Sequence, residues 1–233
     1  IKLITPAFVL ILFKFIPKDL LVDNNSSINT VIMNFLSIDC STEIGSLFVK
    51  FKNKTFSKIL QSDKFISDLM AIYILDFIKE NRLKFEDLNH IFVNQGPGSF
   101  SGLRSSLAIA KGISLSKNIN LYGFNTFIWA CAKFYNKNNV IVSIIKVREK
   151  YFIQKFDKKL SVILKAKETS KEEIIDKFPN DFKIIPKNIS KQFDEKILKL
   201  KNIIIVDLNH EELEFLHLQG LLNKELIKPL YLS

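Results

Sequence analysis

Two short polar segments carry the side chains whose types and spacing could do chemistry, and the first is IDCST at residues 38–42. Because it follows an apolar run, its polar groups are expected to project from the end of a strand. Asp39 could hold the water shell of a Mg²⁺ ion, while Ser41, Thr42 and the N–H groups of the turn could face phosphate oxygens. Since Asp, Ser and Thr are also ordinary turn residues, this segment alone favours a structural turn over a ligand site.

The second segment is QGPGSFSGLR at residues 95–104, between an apolar strand and a predicted helix. Glycines let a backbone turn sharply and approach a ligand, and the free N–H groups at a helix start favour an anion. It is not a P-loop, because no Gly-Lys-Ser/Thr follows, and it is not a dinucleotide-binding fingerprint, because the glycine spacing differs and Pro97 lacks a donor. The residues that would face a phosphate here are Gly96, Gly98 and Ser99.

The same segment has a structural interpretation that the residues support equally well. In it, the segment is a tight strand-to-helix turn whose Phe100 and Leu103 are anchored in the core. The residues assigned to this structural motif are Pro97, Phe100, Ser101, Gly102 and Arg104.

The elements that must position these segments are predicted as two similar halves. Each half has three strands, followed by a helix, a strand, a helix, a strand and a helix. This order predicts a duplicated α/β unit, with a first lobe at residues 33–138 and a smaller second lobe at residues 139–233. The predicted helices lie at residues 63–80, 103–116, 126–134, 170–178, 191–200 and 211–222.

The helix predicted at residues 63–80 is apolar on more than one side. Its apolar residues exceed the stripe of ~100° that is enough to cover one sheet, so a second layer of the fold or a partner protein must cover the remainder. The helix predicted at residues 103–116 carries several small side chains that allow another helix to approach closely. Together the two helices have the character of a helix-pairing interface.

Composition, charge and the absence of familiar motifs exclude several classes of protein. The chain has 233 residues, of which 47% are apolar and 25% charged, and its net charge of +10 is spread along the sequence. This spread indicates a solvated, lysine-rich surface. Cys40 and Cys131 have no metal-binding spacing and predict buried, reduced thiols. The sequence contains no HxxxH, no recognisable Ser/His/Asp set and no carboxylate pair, so it lacks the parts for acyl transfer or hydrolysis.

Residues 1–32 are expected to be an extension that is not native to the protein, with Met33 as the natural start. Their apolar run at residues 3–13 is shorter than the ~20 residues that a membrane-spanning helix needs. No small-residue cleavage site follows it, so a signal peptide is not indicated, and a signal anchor is the alternative.

Taken together, the two polar segments resemble the TsaB (formerly YeaZ) family, whose hallmarks are an Asp-containing first strand end and a GPGSFTG-type turn. The resemblance covers residues 33 to about 135, and KPLYLS at residues 228–233 resembles the closing segment of the family. Ser101 stands where the family has Thr. Two departures concern polar positions: Lys146 replaces an acid after the strand VIVSI, and Asp63 lies near the place of a histidine.

The resemblance implies an actin-like, ribonuclease H-like duplicated fold of the ASKHA class, with two lobes of mixed sheets flanked by helices. It implies a cytoplasmic, non-catalytic scaffold subunit, without membrane contact, of the complex that makes N6-threonylcarbamoyladenosine at position 37 of tRNAs. The implied partners are the enzyme TsaD in a heterodimer and the ATPase TsaE, with tRNA contacted only through the complex and a homodimer expected for the isolated chain. No cofactor is expected to bind tightly, and ATP or ADP with Mg²⁺ is expected only in the complex. The residues expected to face the partner are Phe65, Leu69, Ile72, Tyr73, Phe77 and Leu107.

Two alternatives from other functional classes remain at this stage. The first is an active ASKHA phosphotransferase or M22-type peptidase, with Asp39 and the glycine-rich segment binding nucleotide. The second is a tRNA-binding module that depends on the net charge of +10.

Overall fold

The computed structural model describes residues 33–60, 66–224 and 227–232. The interpretation of residues 1–32 therefore lies outside the described residues, and so do Asp63 and the expected partner-face residue Phe65.

Two five-stranded sheets dominate the fold, and both have the same strand order. The strands of the first sheet are β1 (Phe35–Asp39), β2 (Gly45–Phe51), β3 (Lys54–Leu60), β4 (His90–Asn94) and β5 (Asn120–Phe124). Those of the second are β6 (Val140–Val147), β7 (Lys150–Asp157), β8 (Val162–Thr169), β9 (Phe182–Pro186) and β10 (Ile203–Val206). The orders are β3-β2-β1-β4-β5 and β8-β7-β6-β9-β10, with the first three strands of each half antiparallel and the last two parallel. This arrangement confirms the predicted duplication.

Helices flank the sheets and mostly fall where the sequence predicts them. Those before the second sheet are α1 (Ile66–Glu80), α2 (Phe100–Lys117) and α3 (Thr126–Cys131). The others are α4 (Lys171–Lys177), α5 (Lys187–Ser190), α6 (Glu195–Leu198) and α7 (Glu212–Leu218). Helix α2 begins three residues earlier than predicted, because the Ser99 hydroxyl accepts a hydrogen bond from the Gly102 N–H and caps the first turn.

The single helix predicted at residues 191–200 is wrong. The structure has two short helices, α5 and α6, and the chain between them places the Phe193 side chain in the core. The Asp194 carboxylate then accepts a hydrogen bond from the Lys196 N–H and starts a new helix. One continuous helix cannot form here, because the chain turns inward at Phe193 and a new helix is capped at the next residue, Asp194.

The first sheet is covered on both faces, which explains why β1 is buried throughout. On one face, Leu36 and Ile38 belong to a core that also contains residues of α1 and α2. On the other face, Phe35, Phe48 and Phe92 belong to a core shared with the second sheet and α7. Because β1 and β4 are adjacent and parallel, the polar residues at their carboxyl ends lie at one edge of this sheet.

Lys183, on β9, is a fully buried lysine that stabilises the chain segment leading into this strand. Its ammonium donates to the carbonyl oxygens of Phe178, Pro179 and Asp181, at 2.7, 3.3 and 2.6 Å. Burial lowers the pKa of Lys183, but these three acceptors hold the charged form.

Replacing Lys183 with methionine is therefore expected to destabilise the protein by about 3 kcal/mol, since three carbonyl oxygens lose their charged donor. Urea denaturation measures this effect. Lys165→Met, at an exposed position on β8, serves as the matched control and should change stability by less than about 0.5 kcal/mol. An equally small effect of Lys183→Met would contradict the structural role.

Candidate functional site

The two polar segments singled out in the sequence pack against each other, backbone to backbone. The Ser99 N–H donates to the Ser41 carbonyl oxygen at 2.7 Å. A Cβ atom on Gly98 would lie 1.9 Å from that same oxygen, and one on Gly102 would lie 2.4 Å from the carbonyl oxygen of Cys40. Glycine is required at both positions because any side chain would collide with the backbone of Cys40 and Ser41, in the turn between β1 and β2.

Asp39 lies at the centre of a buried polar network at this sheet edge. Its Oδ1 accepts from the Ser41 N–H at 3.0 Å and from the Asn94 amide at 2.9 Å. The Asn94 amide nitrogen also donates to the Thr126 hydroxyl at 3.0 Å. The Asn94 Oδ1 accepts a hydrogen bond from the Gly96 N–H at 2.8 Å. Asn94 and Thr126 were not identified from the sequence. Their only signal is their position, since Asn94 is the last residue of β4 and Thr126 follows the end of β5 by two residues.

Burial raises the pKa of Asp39, although the hydrogen bonds from Ser41 and Asn94 oppose the shift. Ionised Asp39 therefore costs the folded state free energy at neutral pH. A buried carboxylate that weakens its own fold marks a candidate functional position.

Asp39→Asn is expected to stabilise the protein at pH 7, because asparagine keeps an acceptor oxygen and carries no charge. The folded-state pKa lies above the ordinary value of 3.8, so the wild type loses stability as the pH rises from the unfolded pKa through the folded one. The advantage of the variant should consequently disappear below about pH 3.8. Thermal denaturation across pH measures it, with exposed Glu43→Gln as control. A variant less stable than wild type at pH 7 would contradict this account.

Two of the N–H groups that could have faced a phosphate are used within the chain. The Ser99 N–H is bonded to Ser41, and the Ser99 hydroxyl accepts from the Gly102 N–H at 3.4 Å. Gly98 and Gly102 lie against the turn between β1 and β2 and leave no space between the two segments. Among the described residues, no three His, Cys, Asp or Glu side chains are grouped so that they could hold a metal ion. Phosphate binding at Gly96, Gly98 and Ser99 and nucleotide binding at Asp39, Ser41 and Thr42 stay predictions.

A cleft of about 780 Å³ opens beside the network. The β1–β2 turn and the glycine-rich segment form one wall, and basic side chains of the second half contribute to the other. Lys146 donates to the Gln192 carbonyl oxygen at 2.9 Å and lies 3.3 Å from the Glu149 carboxylate. Lys187 pairs with Asp207 at 3.1 Å. A carboxylate of the chain thus lies next to each of these two lysines.

His210 is a junction residue that the sequence did not reveal. Its Nδ1 contacts the Ser37 hydroxyl at 2.8 Å, its Nε2 contacts the Ser46 hydroxyl at 2.9 Å, and its ring stacks on Phe48. Burial lowers the pKa of His210 to about 4, so the ring is neutral at pH 7. Both ring nitrogens are bonded to serine hydroxyls and not to a carboxylate, so this contact differs from a hydrolytic triad. It joins the second half of the chain to β1 and β2.

An exposed apolar stripe runs along the outer side of α1. Leu69, Ile72 and Leu75 are 40%, 52% and 56% exposed, while Met70 and Ile74 are fully buried beneath them. Leu75 was not among the residues expected from the sequence. We call these three exposed residues the α1 stripe. Beside it, α2 exposes small or apolar residues, namely Ala108, Gly112 and Leu115.

The expected partner face needs one correction. Phe77 and Leu107 are only 2% and 3% exposed, because both side chains lie in the core between the first sheet and its helices. They support α1 and α2 from behind and cannot contact a partner directly. Tyr73 is half-buried against the same core.

The two sheets of identical order, flanked by helices, define a duplicated ribonuclease H-like protein of the actin-like class. A crystal structure of an uncharacterized protein with similarity to peptidase YEAZ from Pseudomonas aeruginosa matches with a TM-score of 0.66 and 12% identity, over 86% of this chain and 100% of that chain. The family model described as TsaD: tRNA N6-adenosine threonylcarbamoyltransferase matches residues 62–182, just over half of the chain.

Two curated relatives are described as tRNA threonylcarbamoyladenosine biosynthesis protein TsaB. The protein of Buchnera aphidicola subsp. Baizongia pistaciae is 28% identical over 53% of this chain and 58% of its own length. That of Buchnera aphidicola subsp. Schizaphis graminum is 28% identical over 47% and 53%. The chain therefore spans little more than half the length of these relatives. With these similarities, the chain belongs to the TsaB (YeaZ) family.

None of the described helices combines the length and the apolar character that a membrane span requires.

Proposed function

We propose that this chain is a non-catalytic subunit in the synthesis of threonylcarbamoyladenosine in tRNA, and that it pairs with a TsaD enzyme through α1 and α2. The names of its curated relatives support the pathway. The α1 stripe supports the pairing, and it is the single observation that carries the proposal.

The α1 stripe suits a helix-pairing partner better than solvent. Leu69, Ile72 and Leu75 follow one another at intervals of three residues, so they lie on one side of the helix. The neighbouring α2 exposes Gly112, whose surroundings would leave a Cβ atom without any contact within 4 Å. A partner helix can therefore approach α2 closely while its apolar side chains cover the α1 stripe.

The polar site supports a scaffold role over catalysis. Asp39 Oδ1 and the Ser99 N–H form hydrogen bonds inside the chain, and His210 is hydrogen-bonded to two serines without an orienting carboxylate. In this proposal, the TsaD enzyme performs the transfer in the cytoplasm, and a TsaE ATPase joins the pair. ATP or ADP with Mg²⁺ is then bound by the assembled complex, and tRNA is contacted through it.

Reconstituted tRNA modification tests the proposal. A TsaD enzyme, a TsaE ATPase, a threonylcarbamoyl donor and unmodified tRNA are combined with and without this chain, and the modified nucleoside is measured by mass spectrometry. We expect modification only when the chain is present, and we expect Ser46→Ala and Asp39→Asn chains to support it equally. Equal modification without the chain would refute a role in the pathway. Loss of modification by either variant with intact TsaD binding would refute the non-catalytic role.

A further inference from the structure

Residues 227–232, here called the tail, lie more than 100 residues from the glycine-rich segment in sequence but contact it directly. We infer that the tail is a positioning element for α2, and through α2 for the partner face. The positioning of α2 stands on the contacts described below, whereas the effect on a partner rests on the function proposed above.

Gln95 fastens the tail to the beginning of the glycine-rich segment. Its side-chain amide donates to the Lys228 carbonyl oxygen at 2.8 Å, and its backbone carbonyl oxygen accepts from the Leu230 N–H at 2.6 Å. Its Oε1 also accepts from the Asn223 amide at 2.8 Å. The Gln95 side chain fits here because residue 123 is glycine, where a Cβ atom would lie 2.3 Å from this Oε1. The backbone and side chain of one residue thus fix the course of the chain as it returns to the first sheet.

Arg104 fastens the tail to the first turns of α2. Its Nε donates to the Tyr231 hydroxyl at 2.8 Å, and its guanidinium carbon lies 3.6 Å from the centre of the Phe100 ring. The rings of Phe100 and Tyr231 are 5.4 Å apart. Because Phe100 and Arg104 both belong to the start of α2, the tail holds the end of the helix that adjoins the glycine-rich segment.

Ile227 anchors the tail in the core beneath α2. It is buried in the same apolar cluster as Leu107 and Ala110, which are residues of α2 itself. The tail therefore shares a core with α2 and contacts the helix directly at its first turns. Since α2 packs against α1, loosening of these contacts should also disturb the surface that the two helices present together.

The positions of these contacts explain why a segment beyond the second sheet can influence a face on the first. Gln95 and Arg104 bind the segment 95–104 to the tail, while Ser99 and the glycines Gly98 and Gly102 hold it against the turn between β1 and β2. This segment is thereby fixed between two partners. A helix start that is fixed in this way loses little entropy when a partner binds, which favours affinity.

Hydrogen exchange of the full chain tests the inference, with Tyr231→Ala as the variant. Tyr231 is 52% exposed, so its removal should leave the protein folded. We expect the amides of residues 99–104 to exchange about tenfold faster than in the wild type, because opening of the first turn becomes easier. Lys228→Ala is the matched control, since this exposed side chain lies in the tail and only its carbonyl oxygen contacts Gln95. It should leave exchange unchanged.

The affinity for a TsaD enzyme is measured on the same variants. We expect Tyr231→Ala to weaken binding about fivefold to tenfold, and Tyr231→Phe, which loses only the hydroxyl, to weaken it less. Unchanged exchange in Tyr231→Ala would overturn the positioning role. Faster exchange with unchanged affinity would overturn the link to the partner face. If the wild-type chain binds no TsaD enzyme, the proposed function fails, while the exchange experiment still decides whether the tail positions α2.

Discussion

Gly98→Ala is expected to destabilise the protein by more than about 4 kcal/mol, because the new methyl group has no space. Its carbon would lie 1.9, 2.6 and 2.8 Å from the carbonyl oxygen, the carbonyl carbon and the Cα of Ser41. All three atoms belong to the backbone, so no side chain can rotate away. Either the β1–β2 turn or the glycine-rich segment must move, and both are fixed by buried hydrogen bonds to Asp39 and Asn94.

Urea denaturation and soluble yield measure this effect, and Gly112→Ala provides the matched control. Gly112 lies in the exposed middle of α2, where a Cβ atom would meet nothing within 4 Å. Alanine there should stabilise the helix by roughly 0.5–1 kcal/mol. If the free energy of unfolding of Gly98→Ala lies within about 1 kcal/mol of the wild-type value, the close contact between the two segments is wrong.

The fold was largely predictable because local patterns and the duplicated order agree. Apolar runs such as Val140–Val147 and Ile203–Val206 are strands at the predicted positions. The contact between the two polar segments also follows from adjacent parallel strands. What the segments do could not be predicted, since the residues of 95–104 supported an anion site and a structural turn equally. In the structure, the segment packs on the turn between β1 and β2 through Ser99 and the two glycines Gly98 and Gly102. Of the two residues expected to anchor it in the core, Leu103 is buried, but the expectation for Phe100 is wrong, because its side chain is 49% exposed.

The remaining features depend on contacts between distant parts of the chain, which no local pattern reveals. His210 meets Ser37 over 173 residues, and Tyr231 meets Arg104 over 127 residues. Burial also divides residues that share one helix. Phe77 and Ile72 look equivalent in an apolar run, yet the first faces the core and the second faces outward.

Ile72→Asp is expected to weaken binding to a TsaD enzyme about 1000-fold, which corresponds to about 4 kcal/mol. Ile72 lies in the middle of the α1 stripe, between Leu69 and Leu75, so the new carboxylate would be buried against an apolar partner surface without a counter-charge. Because Ile72 is 52% exposed in the isolated chain, its replacement should change the melting temperature little. A folded protein that cannot pair is the expected result.

The central claim is tested most directly by the dissociation constant for a TsaD enzyme, measured for the wild type, Ile72→Asp and Ile163→Asp. Ile163→Asp is the matched control, because this isoleucine on β8 is 55% exposed but lies on the second sheet. Our account predicts tight binding by the wild type and Ile163→Asp, and about 1000-fold weaker binding by Ile72→Asp with an unchanged melting temperature. Equal affinity of all three proteins would contradict the assignment of the α1 stripe as the partner face.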